Sequence, residues 1–244
     1  MLKKLFGTLS AVALAVAGLV AIPAAISPAA AAPAGEAFDP GLIISDSVFF
    51  DFGSMDVAGI QTFLDSRVSN CRAEDPAIDC LKSIKVEIPE TPATTPQQVG
   101  PCSAIPANPT ASAAQVIYSV ATACGISPKV LITTLQKEQG LVTSTKPTEY
   151  MYRAAMGFGC PDSDPGICGK VYVGLFNQVY RAAKQLRWYG NPEGSFTYWK
   201  PGRTVSMRFN PKSSCGTKSF QLKNQATANL YYYTPYTPNQ AALS

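Results

Sequence analysis

Histidine is missing from all 244 residues of this chain. That absence removes imidazole as base and as ligand. A Ser-His-Asp hydrolase, a Cys-His peptidase and the usual zinc peptidases or amidases cannot be assembled without it. A structural zinc site is poorly served too, because the seven cysteines contain no Cys-x-x-Cys pair. No metal or cofactor is expected. Charge is also scarce: 20 basic residues stand against 16 acidic ones, a net of +4, with no basic run. Loss of Lys3 and Lys4 with a leader would leave 18 against 16, or +2. So mild a balance argues against nucleic acid as a partner and does not obstruct work on an anionic surface. Proton transfer in any hydrolytic chemistry is left to carboxylates, which suit glycosidic bonds better than peptides.

What is present begins with a leader. Lys3 and Lys4 precede an apolar stretch over residues 5–22, and Ala29, Ala30 and Ala31 form a small-residue cleavage site. Residues 1–31 therefore read as a secretory signal, with no stable membrane span after its removal. The exported remainder lies where disulfides persist. Spacing suggests Cys71–Cys80 and Cys160–Cys168 as short loops and Cys102–Cys124 as a tie between a loop and a helix end. Cys215 is left over, either as a free thiol or as partner to a cysteine beyond Ser244 in a truncated chain; truncation is the expectation.

Apolar periodicity divides the rest. Residues 38–88 form a small N-terminal subdomain, with a helix over 54–68 and a strand over 84–88. Residues 89–101, with four prolines, are an extended connector. Residues 102–244 hold a helix capped by Thr110 and stopped by Gly125, a second helix ending at Gly140, and a loop over 141–164. A helix over 171–189, a hairpin turning at Lys200, Pro201, Gly202 and Arg203, and a last helix over 224–232 complete the order. The class is mainly α, with a minor β-hairpin.

The segment SPKVLITTLQKEQG, residues 127–140, carries the clearest chemistry. Ser127 suits an N-cap, Pro128 the first helical position and Gly140 the stop. Leu131, Thr134, Leu135 and Glu138 share a face, so a single carboxylate arrives on an apolar stripe at the negative end of the helix dipole. Such a group is hard to ionise and fits a general acid. Asp162 and Asp164, beside prolines on the following loop, are ordinary turn residues or a second carboxylate. Asn177 and Gln178 offer amides to a ligand or simply face solvent.

Three motifs stand in order: LQKEQG at 135–140, AAMGFG at 154–159 and ATANLY at 226–231. Together they resemble the lysozyme-like superfamily, and within it the soluble lytic transglycosylases. Residues 46–243 also resemble a group of secreted Gram-positive proteins labelled lysozyme-like or haemagglutinin-like. Gln139 departs from the serine usual after the glutamate, and the loop lacks a Met-Gln pair. The resemblance implies a lysozyme-like helical domain acting on peptidoglycan glycan strands at the cell wall. It implies Glu138 as acid and base at the β-1,4 link between N-acetylmuramic acid and N-acetylglucosamine. It points to Met156, Gly157, Phe158, Asn177, Gln178, Tyr231 and Tyr232 as substrate contacts. Met156 and Phe158 are expected to form one apolar platform and the cluster Tyr231, Tyr232 and Tyr233 another. A glycan-binding protein that does not cleave, and a cell-surface structural protein, are the alternatives.

Overall fold

Helix α3 (Ala113–Cys124) is built to be surrounded. Ala113, Ala114, Val116, Ile117, Val120, Ala121 and Cys124 are all buried. Small residues on so much of its circumference let α2 (Val57–Arg67), α4 (Pro128–Gln139) and α6 (Leu175–Tyr189) pack closely around it. The computed structural model describes residues 38–97, 100–161 and 168–243. The signal sequence and its cleavage site lie outside them. The unit Phe38–Ser244 is a single compact body. Among the described residues no helix is long and apolar enough to cross a membrane.

The remaining elements are α1 (Asp46–Phe49), β1 (Lys85–Ile88), β2 (Asn108–Ser112), α5 (Glu149–Arg153), β3 (Thr204–Arg208), β4 (Thr217–Gln221) and α7 (Gln225–Tyr233). β1 pairs antiparallel with β2, with an irregularity between Val86 and Ile88. β3 pairs antiparallel with β4 from Thr204↔Gln221 to Arg208↔Thr217.

The mainly α, lysozyme-like reading is therefore corrected. Helix accounts for 37% of the described residues, and two separate two-stranded sheets stand beside it. The protein is a mixed α/β domain. β2 escaped the sequence reading because Asn108 and Pro109 are poor strand formers. Thr110 lies inside that strand. The helix cap is Ser112, in a capping box with Gln115. The hairpin is also displaced. Gly202 does turn the chain, at φ +84°, but into β3; the reversal between β3 and β4 falls over residues 209–216 and ends at Gly216, φ +85°.

All three expected disulfides form: Cys71–Cys80, Cys102–Cys124 and Cys160–Cys168. Cys215 is a free, exposed thiol. Two clusters make the interior. The larger gathers α2, α3, α4 and α6. The smaller joins Val205 and Met207 of β3 to Leu222, Ala228 and Tyr231.

Candidate functional site

Helix α4 delivers Glu138 as its sequence suggests. Val130, Leu131, Ile132, Thr134 and Leu135 are buried, which anchors the first turns in the core. Gly140 ends the helix in the left-handed region at φ +66° and donates its N–H to Gln136 O at 2.9 Å. Ser127 occupies the N-cap position but makes no capping bond; its hydroxyl meets Ser54 Oγ at 3.1 Å. The last turn emerges from the core with the Glu138 side chain 23% exposed.

The environment of that carboxylate differs from the dry stripe expected. Lys137 Nζ lies 2.7 Å from Oε1, and the same ammonium donates to Thr234 Oγ1 at 3.3 Å. On the other oxygen, the backbone of Gly157 comes so close that a Cβ there would sit 3.1 Å from Oε2. Gly157 also has φ +71°, a conformation that favours glycine, and a side chain there would crowd the carboxylate.

The loop carrying Gly157 is clamped by Gln178. This amide is fully buried and uses every polar position. Oε1 accepts from Met156 N and Phe158 N, each at 3.1 Å. Nε2 donates to Phe158 O and Tyr172 O, each at 2.8 Å. Gln178 thus holds the loop rather than facing a ligand. The Met156 side chain is wholly buried, so it is core and not a platform. Phe158 is half-buried and packs edge-on against Tyr172, with centroids 5.3 Å apart. Asn177 donates to Val173 O at 3.1 Å and lines a separate hollow with Val86 and Glu87. Asp162 and Asp164 lie outside the described residues.

The three tyrosines of α7 diverge, as successive residues on a helix must. Tyr231 is buried and donates its hydroxyl to Pro40 O at 3.0 Å. The Tyr232 hydroxyl accepts the Trp199 N–H at 2.6 Å, and its ring stacks on Tyr189 at 5.2 Å. Tyr231 and Tyr233 both line the pocket that holds Glu138, and Tyr233 feels the charge of the acid. The Tyr233 hydroxyl donates to Met156 O at 2.6 Å. Burial pushes this phenol well above its ordinary pKa, and the nearby Glu138 carboxylate and then Tyr189 push the same way. Tyr233 therefore bridges α7 to the loop beside Glu138.

Next to this junction opens a pocket of about 420 Å³ between α4, α7 and residues 43–44. Ile43, Ile44, Val130, Leu230 and Tyr233 are among its walls, and Glu138 stands on its rim. Sequence reasoning missed this pocket, since residues 43–44 and 230–236 give no shared signal along the chain. Among the described residues no group of three or more cysteines and carboxylates gathers to hold a metal ion.

Residues 43–214 match the family described as LasA, N-terminal domain. That span is well over half of the chain. The chain belongs to this family. The matched part of the LasA N-terminal domain contains Glu138, Gly157 and Gln178, whereas α7 follows it. No match was found among curated proteins, and none among solved structures. Family membership and three disulfides are those of a secreted protein. The resemblance to lysozyme-like proteins gives way to the LasA N-terminal domain as the family.

Proposed function

We propose that this secreted protein acts on the cell wall by cleaving the β-1,4 link between N-acetylmuramic acid and N-acetylglucosamine, with Glu138 transferring the proton. One observation carries the reading: among the described residues, Glu138 is the single carboxylate lining the pocket. It is also held within reach of solvent by α4 and the Gly157 loop. The family supports the coarser part, action at a cell wall.

A single acid suits a scheme without water. Glu138 gives its proton to the bridging oxygen as the bond from the muramyl C1 breaks. The muramyl 6-hydroxyl then attacks C1, and its proton returns to Glu138, leaving an anhydro end. Before the first step Glu138 must shed Lys137. The lysine side chain is 55% exposed and already shares its ammonium with Thr234, so it has an alternative partner in place.

The ion pair itself favours a second reading. A carboxylate held by Lys137 needs no proton transfer in a protein that binds glycan without cutting it. Product analysis on purified peptidoglycan separates the two. Glu138→Gln keeps the shape and removes the transferable proton, so turnover should fall by at least ~100-fold. A folded variant that cuts as fast as wild type refutes the assignment. Absence of product from wild type, with glycan still retained in a pull-down, establishes the binding reading instead.

A further inference from the structure

The pocket beside Glu138 offers more than a sugar ring alone would use. Its hydroxyls come from threonines and tyrosines of α4 and residues 231–236, while Ile43, Ile44, Val130 and Leu230 form an aliphatic floor that a sugar's hydroxyls would not match. Its charges are confined to one wall. Lys129, Thr133 and Lys137 stand four residues apart along α4 and all line the pocket. Their spacing sets the two lysines about 12 Å apart along the rim. Lys137 is engaged by Glu138 and Thr234. Lys129 is exposed and has neither an ion pair nor a side-chain hydrogen bond among the described residues. The chemistry that answers such a pocket is aliphatic side chains joined to a carboxylate. Its volume of about 420 Å³ lies within the ordinary range for ligand pockets, roughly 300–1,000 Å³.

We infer that this pocket binds the acidic peptide stem carried by the wall glycan, with aliphatic side chains on the apolar floor and a stem carboxylate on Lys129. The inference rests on the reading that Glu138 faces that glycan. Because Glu138 stands on the rim, a ligand filling the pocket is continuous with whatever bond lies at the acid. A neutral acyl chain would match the floor but leave Lys129 unanswered. A bare glycan could use the hydroxyls of the lining but would leave the aliphatic floor and Lys129 unanswered. Recognition of the stem confines the protein to wall strands that still carry their peptides.

The test measures equilibrium binding of the full chain to two soluble glycans: strands with intact peptide stems, and the same strands after an amidase has removed them. Wild type should bind the stem-bearing strands at least about 10-fold more tightly, the worth of one buried aliphatic side chain. The free stem peptide should compete, and added salt should weaken the preference. Lys129→Glu, a change at an exposed position, should weaken it several-fold. Equal binding of both glycans by wild type overturns the inference, as does an undiminished preference in Lys129→Glu. Running the same assay beside product analysis keeps the two claims apart. A stem preference without any cleavage sinks the enzymatic reading and leaves the pocket assignment standing. Cleavage without a stem preference does the reverse.

Discussion

The two sides of Glu138 are made differently. On one, the loop at residues 156–158 is fastened by hydrogen bonds from Gln178 and Tyr233 to its backbone. On the other, the wall formed by Ile43, Ile44 and Leu230 meets the pocket with apolar side chains. A polar clamp has one geometry at which all its bonds are made, whereas apolar walls tolerate many shapes of guest. The difference teaches that the loop side sets where the carboxylate sits and the pocket side sets what may lie beside it.

The comparison breaks most completely at Gln178. Gln178→Leu keeps the volume and strands the Met156 and Phe158 N–H groups and the Phe158 and Tyr172 carbonyls, so the domain should lose about 3–4 kcal/mol of stability, read by denaturant unfolding. A loss below about 1 kcal/mol would mean that the clamp is not what holds the loop. Tyr233→Phe removes one donor from Met156 O and should cost about 1–2 kcal/mol, with turnover falling further than stability explains. Turnover that merely follows the folded fraction would reduce Tyr233 to packing.

Alkaline pH sharpens the same point. Tyr233 has a raised folded-state pKa from burial, then Glu138; Tyr152, whose hydroxyl donates to Asp79 O at 2.7 Å, has one from burial, then Asp79. Each holds its proton in the folded state above the pH at which the unfolded chain releases it. Their contribution is therefore complete below about pH 10 and declines as pH rises toward the folded values. Tyr233→Phe deletes one of these protons, so the slope of stability against pH above about 10 should flatten by roughly 1.4 kcal/mol per pH unit. An unchanged slope would place the Tyr233 hydroxyl in water. Cys215→Ser is the smallest change: exposed on the reversal between β3 and β4, it should stay within about 0.5 kcal/mol of wild type.

What was legible in the chain was local. The ends of α4, the apolar faces of α3 and α6 and the three cysteine pairings all depend on residues near one another in sequence. What stayed hidden was set at a distance. β1 and β2 pair across some twenty residues that include the proline-rich stretch, and neither strand alternates cleanly. Lys137 was overlooked beside Glu138 because neighbouring residues on a helix point apart; two long side chains reaching past the helix end bring the charges together. The choice of Tyr233 over Tyr231 and Tyr232 depends on how α7 is rotated against α6 and the β3–β4 sheet, and three identical residues in a row carry no mark of that rotation. Gln178, expected to meet a ligand or face solvent, is instead fixed by the backbone of residues 156, 158 and 172, which no local pattern announces.

Tyr232 gives the molecule an optical gauge. The chain has two tryptophans. Trp199 donates its backbone N–H to the Tyr232 hydroxyl, and its indole lies 4.8 Å from the Tyr232 ring. Tyr232 adjoins Tyr233 on the helix that walls the pocket. Any guest that shifts α7 must slide a phenol across a half-buried indole, so its arrival can be followed in the native emission of the protein, with no dye attached.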